Sequence, residues 1–321
     1  MKISVILPTY SPNPVRLSAT LQALESQDMP VEDWELLVID NCSTPPLSRE
    51  ALQREFSGAL RLIREETPGL SQARLRGIQE ATSEILVFCD DDNLLAPNYL
   101  SVAFSTLKKN PGVGIAGGRS LPAYAVEPPS WYEEGIAPLG CRDLGDTPLV
   151  FTANEFDQNP QYPEMAPIGA GMVFRRRAVG SWARSISRTG ISDRKGNSLS
   201  SAGDCDMVLH ALSDGWDVAY WPDLVLNHLL PKERLTKRYL GAISRAAFRD
   251  FVTVLSHHGI RPWRPVSRPT LPLRKLRALV RHRPWTSERS YIAWQSALGN
   301  FDGRLRVHDE NSNPSSSANE C

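Results

Sequence analysis

The chain has 321 residues, enough to bury one large core with room for an appendage. Its 41% hydrophobic and 22% charged residues are ordinary for a soluble globular protein, and no uninterrupted apolar stretch approaches the length of a membrane span. The formal net charge is zero, yet residues 232–308 carry 17 Lys and Arg against 4 Asp and Glu. The rest of the chain is therefore net acidic, which separates a basic C-terminal segment from an acidic body.

The cysteines and the N-terminal sequence both indicate a cytoplasmic protein. The five cysteines are odd in number and lack the spacing of a metal site, so we expect reduced thiols rather than a disulfide framework. The apolar run Ile3–Leu7 is too short for the core of a signal peptide and stops at Pro8. We expect this run to be a strand.

Short apolar strands alternate with helices through the first 120 residues. The predicted strands are Ile3–Leu7, Trp34–Ile39, Leu60–Ile63, Ile85–Cys89 and a fifth within Gly112–Arg119. The predicted helices are Pro14–Ser26, one near Leu47–Phe56, Leu70–Ala81 and Asn98–Leu107. Strand–helix units at this spacing are typical of a parallel, doubly wound sheet, in which ligands bind outside the carboxyl ends of the strands.

Polar residues follow three of these strands, and the most unusual set is the acidic triplet Asp90, Asp91 and Asp92. Three adjacent carboxylates repel one another, and hard oxygen donors suit Mg²⁺ or Mn²⁺ shared with substrate phosphates. A solvated acidic turn before the next helix explains the same triplet without a metal. Residues 8–10 and 40–41 also end strands, and their convergence with the triplet favours a ligand site.

The second half of the acidic body is looser. Residues 121–167 contain many prolines and aromatic residues, which predicts a functional lid or a partly ordered section. Ile168–Phe174 is predicted to be a strand in which Gly169 and Gly171 either admit a ligand or form a β-bulge. Further predicted elements are a helix near Arg177–Ile186, a polar loop at Ser187–Ser201, a helix at Gly203–Ser213, and a strand pair at Val218–Trp221 and Leu224–Leu226.

Signatures of several other enzyme classes are missing from the sequence. No G-x-G-x-x-G follows the first strand and no G-x-x-x-x-G-K-[ST] occurs, which disfavours dinucleotide oxidoreductases and P-loop enzymes. There is no G-x-S-x-G elbow. A nucleotidyltransferase would carry a Gly-rich, Arg- or Lys-bearing signature after the first strand, and residues 11–14 do not supply one.

Six short motifs in order give the chain a family resemblance. They are LPTY at 7–10, VIDN at 38–41, GLSQAR at 69–74, FCDDDN at 88–93, GAGMVFRR at 169–176 and AGDCD at 202–206. Together they resemble the family 2 glycosyltransferases of GT-A fold, over roughly residues 1–231. The resemblance implies an α/β fold with a Rossmann-like, mostly parallel sheet flanked by helices, here followed by a C-terminal helical extension. It also implies metal-dependent, inverting transfer of a sugar from a nucleotide-diphospho-sugar, commonly UDP-linked, to a hydroxyl of a glycan or lipid-linked glycan.

The resemblance further implies roles for individual residues. Donor binding would fall to Pro8, Thr9, Tyr10, Asp40, Arg74, Asp90 and Asp91. The metal, Mn²⁺ or Mg²⁺, would be held by Asp90, Asp92 and His228. The acceptor would lie beside Gly169, Ala170, Gly171, Trp131 and Asp206. Asp204 would be the catalytic base.

Two of these assignments keep an alternative. The family usually shows Glu-Asp where this chain has Gly203 and Asp204, so Asp206 competes with Asp204 for the role of base. Asp204 alone is also explained as a residue that stabilises the start of a helix. His228 follows a predicted strand, and it either completes a metal shell or is held by local hydrogen bonds.

The basic segment is predicted to be helical and interrupted. Lys232–Leu255 has helical spacing, residues 259–272 are broken by prolines, and helices follow at Leu273–Arg283 and Ser287–Gly299. Basic helices with an apolar face fit peripheral binding to an anionic membrane through 232–300, on its inner face. The alternative is that they pack on the acidic domain.

We expect three parts in the chain. A glycosyltransferase domain would cover 1–231, with its nucleotide-binding half at about 1–120 and its acceptor-binding half at about 121–231. A basic helical extension would cover 232–308, and 309–321 would be a disordered tail.

Sugar transfer competes with two other hypotheses, a sugar-nucleotide nucleotidyltransferase and a non-catalytic GT-A scaffold. The scaffold would be expected to have lost the acidic residues. No nucleic-acid motif accompanies the basic charge.

Overall fold

The computed structural model describes residues 1–189, 199 and 202–312. These residues contain nine strands: β1 (Ile3–Thr9), β2 (Trp34–Asn41), β3 (Leu60–Glu65), β4 (Ile85–Phe88), β5 (Asn93–Leu95), β6 (Val113–Tyr124), β7 (Leu149–Phe151), β8 (Val173–Arg175) and β9 (Asp217–Leu230). They also contain ten α-helices: α1 (Pro14–Glu25), α2 (Arg49–Gln53), α3 (Leu70–Glu80), α4 (Tyr99–Lys109), α5 (Ala153–Gln158), α6 (Gly180–Thr189), α7 (Gly203–Ser213), α8 (Lys237–His257), α9 (Leu271–His282) and α10 (Glu288–Ser312). The α/β class is confirmed.

The nine described strands join one sheet in the order β3-β2-β1-β4-β8-β6-β9-β5, with β7 paired to β9. β1 pairs in parallel with β2 and β4, and β2 pairs in parallel with β3. β6 and β9 form a long parallel pair, while β5, β7 and β8 are antiparallel to their neighbours. Most paired residues are therefore in parallel strands, as the sequence predicts.

The central strands β1 and β2 position the polar residues that follow them. Every residue of both strands is buried, because the central strands of a sheet are covered on both faces, and buried polar members such as Ser4 and Glu35 are hydrogen-bonded. The register places Thr9 beside Asp40 and Ile6 beside Phe88. The carboxyl ends of β1, β2 and β4 therefore share one edge, which we call the carboxyl edge of the sheet.

The strand pair predicted at 218–221 and 224–226 is wrong, because β9 runs unbroken from Asp217 to Leu230. The Pro222-Asp223 sequence that suggested a turn lies where the β6–β9 register shifts, between the Gly117–Tyr220 and Arg119–Val225 pairs. A Cβ on Gly118 would lie 2.0 Å from the carbonyl oxygen of Leu224. A glycine on β6 thus lets the two backbones approach, and an irregularity absorbs the extra residues.

The strand predicted at Ile168–Phe174 is also too long. β8 includes only Val173–Arg175, since Gly171 has a φ of +68° and the preceding residues turn. The short strands β5 and β7 were not predicted. The loop predicted at 187–201 and the tail predicted from 309 fall largely outside the described residues.

The chain divides into two compact units. The first takes in Met1–Ala125, the described residues 140–189, and Gly203–Leu230. The second takes in Val126–Leu139, Leu199, Ala202 and the chain from Pro231 onward. The sequence instead predicts residues 126–139 to be part of the acceptor-binding half.

Within the second unit, Arg289 links the two pieces. Its Nε donates to the carbonyl oxygen of Trp131 at 3.1 Å, and its guanidinium pairs with Glu133 at 2.5 Å.

α10 also extends well past Gly299, where the predicted helix ends. No helix among the described residues is both long enough and apolar enough to cross a bilayer. The four cysteines among the described residues are free thiols.

Candidate active site

The carboxyl edge of the sheet is fastened by a hydrogen bond between two strands' ends. Thr9, the last residue of β1, donates its hydroxyl to Asp91 Oδ2 in the turn after β4. Tyr10, the next residue after Thr9, is 58% exposed, whereas Pro8 and Thr9 are buried. The edge therefore presents one exposed aromatic ring beside an acidic turn that is tied to β1.

The three carboxylates of the acidic turn differ in what they contact. Asp91 accepts the Thr9 bond, Asp90 lies 3.4 Å from Arg74, and Asp92 accepts from Asn93 Nδ2 at 3.2 Å. Burial and the charges of Asp92 and Asp90 raise the pKa of Asp91 to about 6, although the Thr9 bond opposes this shift. The turn thus concentrates more negative charge than its protein neighbours compensate.

Arg74 is the cation of this edge. Its guanidinium stacks on the ring of Phe88, 4.8 Å from the centroid, and pairs with Asp90. Its Nε is buried without a hydrogen-bond partner among the described residues. An unsatisfied buried N–H is costly and points to an acceptor outside the described part of the chain, such as a ligand.

Arg74 also explains a glycine. A Cβ on Gly169 would lie 2.5 Å from one terminal nitrogen of Arg74, so a larger residue would displace the guanidinium from its observed position. The next residues complete the turn, and Tyr99 donates its hydroxyl to the carbonyl oxygen of Gly171. Ala170 packs partly buried against the core. In the structure the side chain of Arg74, rather than a ligand, approaches Gly169, so the admission of a ligand by this segment stays a prediction.

His228 reaches the acidic turn through strand register. β5 and β9 pair Asn93 with His228, so the imidazole lies next to Asp92, with Nε2 3.4 Å from Asp92 Oδ1. On its other side, Nδ1 lies 3.7 Å from Cys141 Sγ. Burial would lower the pKa of His228, but the hydrogen bonds with Asp92 and Cys141 outweigh it and raise the pKa to about 10. The local hydrogen bonds of the second alternative are therefore present.

The donor atoms of this edge are of the type that binds a divalent cation. Asp90 and Asp92 offer hard carboxylate oxygens within one turn. Among the described residues, Asp90, Asp92 and His228 do not form a cluster whose ligand atoms all lie within 4.8 Å of one another. Two carboxylates in an open arrangement are typical of Mg²⁺ or Mn²⁺ sites that share the ion with substrate phosphates.

Asp204 and Asp206 lie at the start of α7 but in different surroundings. Asp204 is partly exposed, and its Oδ2 accepts from the backbone N–H of Gly169 at 2.9 Å. Asp206 is only 1% exposed and lies 3.9 Å from His210 Nε2. Of the two carboxylates, Asp204 is the one that both meets solvent and contacts the glycine turn.

Asp40 is used inside the protein. Its oxygens accept from the backbone N–H groups of Ser43 and Leu47, both at 3.1 Å, and from Arg64 at 2.8 Å. Burial alone would raise its pKa, but these bonds together lower it. Asp40 therefore holds the loop after β2, in addition to any contact with a nucleotide. Trp131 lies in the second unit.

Sequence reasoning missed three residues near these groups. Cys141 contacts His228, and Tyr162 lies close enough to Asp204 and Cys205 that burial and their charges raise its pKa well above the usual range. Arg142 donates to the carbonyl oxygen of Met165 at 2.9 Å and so holds the segment that carries Tyr162. All three come from the irregular section 121–167, where no periodic pattern indicates which residues turn towards the sheet.

With this geometry in view, comparison with known proteins identifies the class. Residues 4–181 match the family described as glycosyl transferase family 2, which is more than half of the chain. The chain belongs to that family.

Two relatives come from Haloferax volcanii. One is a glucosyl-dolichyl phosphate glucuronosyltransferase, 25% identical over 150 residues, which are 45% of this chain and 47% of that protein. The other is the glycosyltransferase AglE, 33% identical over 120 residues, which are 36% of this chain and 38% of that protein. The chain thus spans less than half the length of these curated relatives.

A solved structure extends the likeness to nearly the whole chain. The mannosyltransferase PcManGT from Pyrobaculum calidifontis, in complex with GDP-Man and Mn²⁺, matches 99% of this chain and 80% of its own, with 21% identity and a TM-score of 0.53. At this identity the likeness concerns the fold. The GT-A fold implied by the sequence motifs is confirmed.

Proposed function

We propose that the protein is a metal-dependent, inverting glycosyltransferase that moves a sugar from a nucleotide-diphospho-sugar to a hydroxyl acceptor. One observation carries the proposal. Gly169 contacts both parts of the candidate site. Its Cα lies against Arg74, which pairs with Asp90 of the acidic turn. Its N–H donates to the second carboxylate, Asp204. Transfer from a diphosphate needs charge neutralisation at the leaving group and a separate proton acceptor, and this edge contains candidates for both.

On the donor side, Asp90 and Asp92 would hold Mn²⁺ or Mg²⁺ together with the diphosphate, and His228 would be a third ligand if it loses its proton. The bound ion would supply positive charge to the departing diphosphate. Arg74, whose Nε lacks a partner among the described residues, would donate to a phosphate oxygen. Tyr10, being exposed, would stack on the base, with Pro8 and Thr9 beneath it.

On the acceptor side, Asp204 would take the proton from the attacking hydroxyl. Its partial exposure supports this choice over Asp206, whose burial beside His210 fits a structural role. The bond from Gly169 to one oxygen of Asp204 would fix the orientation of the carboxylate. We expect Gly169, Ala170 and Gly171 to border the acceptor.

For the substrates, we propose a UDP-linked sugar, which is the commonest donor of the family, and a glycan or lipid-linked glycan as acceptor. The name of one relative, a glucosyl-dolichyl phosphate glucuronosyltransferase, supports a lipid-linked acceptor. We also propose that the basic extension brings the protein into peripheral contact with an anionic membrane, on its inner face.

The test is to incubate the protein with a panel of UDP-, GDP- and dTDP-sugars, with and without Mn²⁺, and to assay the products. Release of nucleoside diphosphate that depends on Mn²⁺ and is abolished by a chelator supports the proposal. Release of pyrophosphate from a sugar phosphate and a nucleoside triphosphate would instead identify a nucleotidyltransferase. Thermal shifts with each donor, measured with Mn²⁺ present, identify the nucleotide and the sugar.

A further inference from the structure

The second unit contains one helix whose apolar side chains face solvent. Leu273, Leu276 and Val280 of α9 are 71%, 56% and 61% exposed. At 3.6 residues per turn these three positions lie within about 60° of one another around the helix axis. Single exposed apolar residues are common, but three that form one stripe on one helix mark an interaction surface.

The opposite side of α9 is already in use. Ala278 is buried, and Lys275 pairs with Asp302 of α10 at 3.0 Å. α8 and α10 differ from α9, because the apolar residues of their packed faces are buried: Leu240, Ile243, Val252, Leu255, Ile292 and Leu298. Of the basic helices predicted to contact a membrane, α9 is thus the one that keeps an exposed apolar stripe among the described residues.

Arginines border the stripe. Arg277 and Arg281 are exposed and lie on the same side of it, within about 110° of its centre at 100° per residue. We use the name α9 outer face for the whole surface: Leu273, Leu276, Arg277, Val280 and Arg281. Residues 251–287 contain eight Lys and Arg and no Asp or Glu. The partner of this face must therefore be both apolar and anionic.

A tryptophan lies just beyond the helix. Arg283 ends α9 in the left-handed conformation, with a φ of 45°, and its carbonyl oxygen accepts from Thr286 N–H at 2.9 Å. This turn holds Trp285, which is 67% exposed. Exposed Trp with neighbouring Arg is typical of segments at the boundary between lipid headgroups and acyl chains.

We propose that the α9 outer face, with Trp285, binds the surface of an anionic phospholipid membrane, with α9 lying in the plane of the headgroups. The apolar stripe would enter the upper acyl region while the arginines contact lipid phosphates. This binding needs no sugar donor, so it is independent of whether the proposed transfer is correct.

The test is sedimentation of the full chain with vesicles of phosphatidylcholine that contain one third phosphatidylglycerol, compared with pure phosphatidylcholine. We expect binding to the anionic vesicles that weakens as salt is raised. L273Q/L276Q should lower the partition coefficient on the order of tenfold or more, and R277Q/R281Q by roughly tenfold. The controls are V15Q on α1, where Val15 is 77% exposed, and R49Q/R54Q, at the first residue of α2 and the residue after its end. Both should bind as the unchanged protein does.

The outcomes separate the alternatives. Because all variants are at exposed positions, each should unfold at the same temperature as the unchanged protein. Equal vesicle binding by the α9 variants and the controls overturns the proposal. It is also overturned if the protein does not bind vesicles and L273Q/L276Q converts a dimer into a monomer in sedimentation equilibrium, since a second copy then covers the face. Release of nucleoside diphosphate, assayed with a soluble acceptor, tests the transfer separately.

Discussion

The two ends of the parallel strands β1, β2 and β4 shift the pKa of a buried carboxylate in opposite directions. At the amino end of β2, Glu35 is buried and accepts from Ser4, at 2.7 Å, and from the N–H and hydroxyl of Thr82, at 2.8 and 2.6 Å. Burial would raise the pKa of Glu35, but these bonds and the charge of Arg61 lower it. At the carboxyl end, the pKa of Asp91 is raised to about 6.

The difference shows what each end lacks. Glu35 accepts three hydrogen bonds on Oε1 and has Arg61 near Oε2, so its charge is stabilised without any ligand. Asp91 is buried and accepts a hydrogen bond from Thr9, but it lies between two other carboxylates. This end of the sheet therefore carries negative charge that a bound cation would neutralise. A buried carboxylate with hydrogen-bond partners has a structural role, whereas a group of carboxylates that raise one another's pKa marks a candidate functional site.

The strongest test of this difference removes charge from the carboxyl edge. D90N/D92N should lower the rate of sugar transfer on the order of a thousandfold or more, because the metal and the diphosphate lose their shared ligands. The substitution relieves repulsion within the triplet but also neutralises the carboxylates that face Arg74 and His228, so the melting temperature is measured to check that the variant is folded. Transfer rate and Mn²⁺ affinity are measured together. Transfer at the unchanged rate with Mn²⁺ affinity intact would contradict a metal site here.

The next test separates Asp204 from Asp206. D204N should lower the transfer rate by roughly 10²- to 10⁴-fold while donor affinity survives, because only the proton acceptor is lost. D206N is the matched comparison, and we expect it to alter thermal stability more than the chemical step. Steady-state kinetics and donor titration by calorimetry give both quantities. If D206N is inactive and D204N turns over normally, the assignment of the base is reversed.

A smaller effect is expected from crowding the Gly169 turn. G169A should lower kcat/KM by roughly tenfold, since a new Cβ would push Arg74 away from Asp90. G180A is the control, because Gly180 lies in a helix where a Cβ would lie 3.4 Å from Nη1 of Arg184, at ordinary contact distance. Equal kinetics for the two variants would show that the approach of Gly169 to Arg74 is irrelevant to turnover.

The smallest effect concerns the amino end. Because the folded-state pKa of Glu35 is below 4.5, its contribution to stability is present above that pH and is lost as the pH falls through the folded value. E35Q should cost about 1 kcal/mol at pH 7, from weaker hydrogen bonds, and should flatten the acid-side dependence of stability. Urea midpoints from pH 7 down to pH 3 test this. E55Q, at an exposed carboxylate outside this hydrogen-bond network, is the control.

Much of the carboxyl edge could be predicted from the sequence because it follows from local pattern. The apolar runs of β1, β2 and β4 and the polar residues after them determine the edge once the strands are taken as parallel. The motifs also identified Gly169, although not its reason, which is the guanidinium of Arg74 in space.

Other features depend on long-range pairing that one sequence does not encode visibly. β9 was divided in two because Pro222 resembles a turn signal, whereas the structure places it at a register shift against Gly118. Cys141 reaches His228 from an irregular segment that is tied to β6 by the isolated pairing of Ser120 with Arg142. Spacing along the chain gives no hint of either contact.

The peptide at residue 169 has one further consequence. On its Cα side it abuts the arginine that would clasp the diphosphate, and through its N–H it steadies the carboxylate that would deprotonate the acceptor. Binding of the nucleotide sugar against Arg74 should therefore also fix the orientation of Asp204 for the acceptor. We expect compulsory-order kinetics, in which the nucleotide sugar enters first and the nucleoside diphosphate leaves last.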